Sequence, residues 1–293
     1  MYLINFIRGF FMALADSVPG VSGGTIAFVL GFYDKFILSL NHVISGTKKE
    51  RMESLQFLLK LGIGWITGFI LSILFIASLL ESNIYEVSSL FLGFIIIAIF
   101  LIWKEEKKNL VGQYQNLFFL LIGIVVVWGI IYFNPVTSDE SISVAVSGLS
   151  FGLGLYIFFA AMVSISAMVL PGISGSTILL IFGLYAPVIM AIKEVLSLNF
   201  AYLPAVMIFA LGILTGVALT IRGVKYALMH YRSITLYFIL GLMIGSLYAV
   251  VMGPTSLEIP KEPMSFDTFS ILFFIIGGAL ILLLEKLKTI LTH

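Results

Sequence analysis

The chain has no cysteine, only three histidines, and charged residues at just 11% of its 293 positions. The lack of cysteine excludes disulfides, thiolate metal sites and a cysteine nucleophile. His42, His230 and His293 do not fall at metal-ligand spacing, so neither a metal nor a metal enzyme is expected. A formal net charge of +1 gives no electrostatic footprint for nucleic acid. What replaces charge is apolar surface: 60% of the residues are hydrophobic and the mean hydropathy is +1.15. That is far beyond a soluble domain. Long apolar runs, rather than short alternating ones, exclude a membrane barrel. The chain reads as an all-α polytopic membrane protein.

The first residues are apolar and contain Ala13-Leu14-Ala15, which resembles a secretory signal. A signal carries its positive charge before the apolar run, and here Arg8 lies inside it. The segment that follows also recurs in the second half of the chain, so the N-terminus is expected to be kept as part of the fold.

That recurrence is a ten-residue passage present twice, DSVPGVSGGT from Asp16 to Thr25 and MVLPGISGST from Met168 to Thr177. Each copy is followed by an apolar run and Gly-x-Tyr, at Gly31 and Tyr33 and at Gly183 and Tyr185. Weaker matches keep the same order about 150 residues apart. Leu61-Gly62 with Thr67-Gly68 matches Leu211-Gly212 with Thr215-Gly216, Leu92-Gly93 matches Leu240-Gly241, and Ile122-Gly123 matches Ile276-Gly277. Two homologous repeats are predicted, 1–140 and 141–293, as is common among transporters.

Six stretches have the length needed to cross a bilayer: 61–80, 87–103, 116–133, 200–221, 234–252 and 268–284. The apolar pieces meeting at Pro19 and at Pro171 read as too short to span alone, and suit re-entrant hairpins over about 2–44 and 148–192. Charge supports this topology. With the N-terminus inside, the cytoplasmic segments hold Arg8, Lys48, Lys49, Arg51, Lys60, Lys104, Lys107, Lys108, Arg222, Lys225, Arg232, Lys286 and Lys288, 13 of the 16 basic residues. Both termini are then cytoplasmic. One hairpin plus three spans per repeat inverts the second repeat, so the two hairpin tips face each other near the midplane.

Each tip has the composition of a broken helix. Pro19 and Pro171 stop the incoming helix, and Gly20 and Gly172 permit a sharp turn. Ser22 and Ser174 sit where an N-cap belongs, three residues before Thr25 and Thr177. Gly23, Gly24, Gly175 and the small Ser176 leave room for an anion to approach the outgoing amides. The same residues could instead close two tight hairpins and bind nothing. Asp16 has Met168 as its counterpart. A carboxylate at membrane depth makes it the proton-coupling candidate, with local capping of the turn as its structural alternative. Arg8 shares its face, suited to an anionic headgroup or to snorkelling. Asp34 and Lys35, at the first hairpin's exit, read as structural. Gly64-x3-Gly68 and Gly241-x3-Gly245 read as close helix packing.

The run RGFFMALADSVPGVSGGTIAFVLGFY, together with LPGISGST and GLY, resembles the bacterial polyprenyl-phosphate transporter family, over essentially the whole chain. The resemblance implies transport of undecaprenyl phosphate from the outer to the cytoplasmic leaflet of the plasma membrane, for cell-wall synthesis. It also implies a substrate site at Asp16, Pro19, Gly20, Ser22, Gly23, Gly24, Thr25, Pro171, Gly172, Ser174, Gly175 and Ser176. No cofactor, catalytic residue or nucleotide motif is expected, and the oligomeric state is not legible. A membrane lipid-pyrophosphate phosphatase shares the Pro-Gly-x-Ser element. It would carry an arginine after the serine and paired glutamates, where this chain has Gly23 and Gly175 and no hairpin glutamate before the exits. A carrier of a small anion remains the other alternative, since helix tips accept any such ligand.

Overall fold

A computed structural model describes residues 2–16, 22–72, 83–132, 149–256 and 261–292. These residues form helices, with no strand among them. The first half of the chain contains α1 (Tyr2–Asp16), α2 (Gly23–Val29), α3 (Tyr33–Ser45), α4 (Lys48–Leu71), α5 (Ile84–Glu105), α6 (Lys107–Leu110) and α7 (Leu117–Tyr132). The second contains α8 (Phe151–Val169), α9 (Gly175–Ile181), α10 (Tyr185–Leu196), α11 (Leu203–His230), α12 (Arg232–Met252) and α13 (Ile271–Thr292).

Local chemistry sets several boundaries. Thr47 and Glu50 form a reciprocal capping box that starts α4. Ser150 accepts the Leu153 amide at 3.1 Å and starts α8. α4 begins well before residue 61, and α11 runs past residue 221. Of the basic residues assigned to the cytoplasmic segments, Lys48, Lys49, Arg51 and Lys60 therefore ride on α4, and Arg222 and Lys225 on α11.

Six described helical segments are long and apolar enough to cross a membrane, and one of them is Phe151–Val169. The sequence reading made the pieces at Pro171 too short; at 19 residues, α8 is about 28 Å long. Packing register supplies what length cannot. Gly64 abuts the Phe6 backbone and Gly68 that of Phe10. A step of four on α4 thus matches a step of four on α1, so these helices run parallel. Gly212 against Phe158 and Gly216 against Met162 make α8 and α11 parallel in the same way. Between two parallel neighbours the chain has to come back. α2 and α3, bent by 118° to each other, belong to the first return, and α9 and α10 to the second.

The remaining long helices pair across the two halves of the chain. α5 packs on α13 and α7 packs on α12. Both contacts use the glycines picked out in the sequence: Gly93 meets Phe274, Gly277 meets Leu90, Gly123 meets Phe238, and Gly241 meets Leu120. Small residues let two backbones approach closely, the main attractive device between helices in lipid. The core that results, with Ile26, Ile95, Leu236 and Met243 fully buried, encloses α2.

Candidate functional site

The two copies of the repeated passage meet. Ser22 is the N-cap of α2; its Oγ accepts the Thr25 amide at 3.3 Å. Its hydroxyl also donates to the Leu170 carbonyl at 3.3 Å. The Gly172 amide donates to Thr25 Oγ1 at 2.9 Å and approaches Ser22 Oγ at 3.3 Å. Tyr33, buried at the start of α3, donates its hydroxyl to the Val169 carbonyl at 3.0 Å. A Cβ on Gly24 would stand 3.0 Å from that same carbonyl. The unwound stretch after α8 thus leaves free carbonyls and an amide, and hydroxyls from the other copy of the motif and from Tyr33 satisfy them.

Gly172 takes a φ of +89°. An added Cβ would lie 2.7 Å from the Leu242 backbone. Leu242 sits halfway along the 21-residue α12, which puts the meeting point at mid-depth of that helix.

The two tips differ in what fills them. At the first, the Gly23 amide donates to Asp16 Oδ1 at 2.6 Å, and Trp65 Nε1 donates to Asp16 Oδ2 at 2.9 Å. The carboxylate of α1 occupies the amide end of α2, where an anion would sit. Ser22, Gly23, Gly24 and Thr25 are all buried. At the second tip no carboxylate among the described residues does this. Ser174 Oγ lies 2.8 Å from Ser176 Oγ, and the Ile178 amide of α9 donates to the Ser174 backbone carbonyl at 3.4 Å. Ser176 and Thr177 are half-exposed. Beside them Ser164, on α8, has a buried Oγ without a hydrogen-bond partner among the described residues. Its carbonyl would stand 2.9 Å from a Cβ on Gly175.

Of the residues singled out in the sequence, the fold gathers Asp16, Ser22, Gly23, Gly24, Thr25, Pro171 and Gly172 into one contact. Ser174, Gly175, Ser176 and Thr177 adjoin it at the start of α9. Pro19 and Gly20 lie outside the described residues. Arg8 stands apart. Its guanidinium lies over the Phe32 ring at 4.6 Å and donates to Asn5 at 3.3 Å, steadying the turn between α2 and α3. Trp65, Tyr33 and Ser164 join the site without having been expected there. Tyr33 was visible as part of Gly-x-Tyr; a tryptophan on α4 and a serine inside an apolar helix carry no local signal. No group of acidic or histidine side chains suited to a metal occurs among the described residues.

A second polar cluster closes the end of the bundle where α5 stops and α12 starts. Arg232 pairs with Asp34 at 2.9 Å and with Glu106, to which its Nε donates at 3.2 Å. Asn109 donates to Glu106 at 2.7 Å. Burial alone would raise the Glu106 carboxyl, but the hydrogen bonds from Arg232 and Asn109 and the arginine charge hold it below its ordinary value. Asp34, at the exit of the first hairpin, thus has Arg232 as its partner. Lys35 lies over the Phe57 ring at 4.7 Å.

No solved structure matches the chain significantly. Two curated proteins do, both named polyprenyl-phosphate transporter. The protein from Staphylococcus aureus is 35% identical over 289 residues, 97% of this chain and 96% of its own length. The one from Vibrio cholerae is 33% identical over 258 residues, 84% of this chain and 76% of its own. The family model described as undecaprenyl phosphate translocase-like matches residues 12–268, from the end of α1 to the approach to α13, and so takes in both tips and every helix between them. The chain is therefore a member of that family, which is one of transporters rather than enzymes.

Proposed function

We propose that this protein carries a polyprenyl phosphate, undecaprenyl phosphate by the family's name, across the plasma membrane from the outer to the cytoplasmic leaflet. The observation that carries this reading is the contact at mid-depth between two unwound tips rich in hydroxyls, where Gly172 binds Ser22 and Thr25. Irregular backbone at that depth is tolerated where it is packed in protein or lines a cavity. Repeats that exchange partners pairwise, each beginning with a returning hairpin, suit inverted repeats and alternating access.

The phosphate docks first at the second tip. Ser174, Ser176, Thr177 and the α9 amides face it, and Ser164 supplies a buried hydroxyl that otherwise has no partner. The isoprenoid tail stays in lipid. Asp16 acts as a resident anion on the first tip. When it takes up a proton, its hold on Gly23 weakens and the tip can receive the phosphate; this is the proton-coupling step. Membrane lipid surrounds the carrier, and both termini are cytoplasmic.

The test is transfer of a polyprenyl phosphate between leaflets of liposomes that hold the purified protein. Ser164→Ala and Ser174→Ala each lower the rate about tenfold, the factor that one or two lost hydrogen bonds supply. Asp16→Asn removes the dependence on pH. An Asp16→Asn rate equal to wild type at every pH removes the proton from the mechanism. Wild-type vesicles that move inorganic phosphate but no lipid would replace the reading with a small-anion carrier.

A further inference from the structure

Beyond the tips, α5, α6, α7 and α12 enclose a groove of about 630 Å³ on the outside of the bundle. Ile96 and Ile244 line its upper part, Leu240 its back, and Phe100, Trp103 and Tyr114 its lower part. Much of this lining is exposed, including Phe100, Trp103 and Tyr114. The lower rim is basic. Lys104 closes α5, and Lys107 and Lys108 lie on α6, all three exposed. Lys107 Nζ stands 5.9 Å from the centroid of the Trp103 ring, so the charge hangs over an aromatic wall of the groove. Glu106 does not offset these charges, since Arg232 engages it. That leaves Glu105 as the other carboxylate of the rim.

We propose that this groove binds one acyl chain of an anionic glycerophospholipid of the cytoplasmic leaflet, with its headgroup on Lys104, Lys107 and Lys108. The cytoplasmic side is the one assigned above; the identity of the transported lipid is not needed. Charge selects the occupant: an apolar slot ending in three cations and an aromatic rim matches a negative headgroup over a hydrocarbon chain. The transported lipid fits less well. Leu242 and Met243, on the opposite side of α12, touch the Gly172 turn, so a whole helix separates groove from tip. Both are fully buried, and hydrocarbon side chains dominate the groove, a poor path for a phosphate. The bound lipid instead props α12 against α5 from outside, on the helix that meets the Gly172 turn from within.

Trp103 is a built-in reporter, because it is one of only three tryptophans. The protein is reconstituted at low salt in phosphatidylcholine vesicles containing graded amounts of brominated phosphatidylglycerol or brominated phosphatidylcholine with the same chains. The quenching that disappears in Trp103→Phe isolates the groove. The expected result is half-maximal quenching at about a fivefold lower mole fraction of the phosphatidylglycerol, the factor roughly one surface lysine contributes. Replacing Lys104, Lys107 and Lys108 together by Gln abolishes that preference. These are exposed positions, and unchanged far-ultraviolet circular dichroism verifies the fold. Equal quenching by the two headgroups, or a preference that survives the Gln substitutions, overturns the proposal. Relief of quenching by trace unlabelled polyprenyl phosphate overturns it too, and places the groove on the transport path.

Discussion

The same seven-residue pattern, Pro-Gly-x-Ser-Gly-x-Thr, occurs at both tips and ends in different states. The first is closed: Asp16 fills its amide end, Trp65 steadies Asp16, and its hydroxyls reach across to the second copy. The second gives its carbonyls and the Gly172 amide to that contact, and its buried Ser174 and half-exposed Ser176 pair with each other beside a Ser164 hydroxyl that has no partner among the described residues. The ten-residue copies differ at five positions, and the one that fills a tip is Asp16, where the other copy has Met168. A repeated motif therefore defines a place, and an unrepeated residue decides whether that place is occupied.

Substitutions that break this comparison differ in size. The largest effect is expected from Gly172→Ala, which forces a side chain into positive φ and against the Leu242 backbone. A loss of about 3 kcal/mol or more should appear as a collapsed thermal midpoint in detergent. Gly223→Ala, where a Cβ meets nothing within 4 Å, is its neutral control. Next comes Met168→Asp, which gives the second tip the resident anion of the first. A Cβ on Gly175 would stand 3.1 Å from that of Met168, so the new carboxylate can reach the start of α9. Leaflet transfer should fall at least about tenfold in a folded protein, with Met168→Asn retaining more, because the carboxylate binds amides more strongly than a neutral amide oxygen does.

Thr25→Val comes third. It leaves the Gly172 amide with only the 3.3 Å contact to Ser22, at a cost of about 1–2 kcal/mol. Thr177→Val, at a half-exposed position, should cost much less; equal thermal shifts would undo the asymmetry. The smallest effect belongs to Glu106. Its carboxyl is held below the ordinary value when folded, so its contribution is present above the unfolded value and is lost as pH falls through the folded one. Glu106→Gln should flatten this acid-limb loss, worth about 1 kcal/mol at a partly exposed pair, in thermal melts from neutral to acidic pH.

Much of this arrangement was legible because membrane helices announce themselves by length and small residues. The glycines at 93, 123, 241 and 277 were visible as repeats, and each proved to be a helix crossing. α8 was misjudged because length says nothing of where a helix ends in depth; its parallel pairing with α11 was needed. The tips were legible because Pro, Gly and Ser are conspicuous amid apolar residues. The partners of Asp16 and Asp34 were not, since Trp65 lies 49 residues away and Arg232 lies 198. Such pairings depend on how the hairpins fold back, which no local pattern encodes.

The partner exchange of α5 with α13 and of α7 with α12 also has a bearing on biosynthesis. As the ribosome releases the chain, α1 to α4 can assemble at once, but α5 and α7 wait in the bilayer until the C-terminal spans emerge. The nascent first repeat thus exposes glycine-lined faces, to which a chaperone or another unfinished copy can bind. A gene cut between the repeats should still yield working protein when both fragments are made in one cell, since each carries the missing partners of the other.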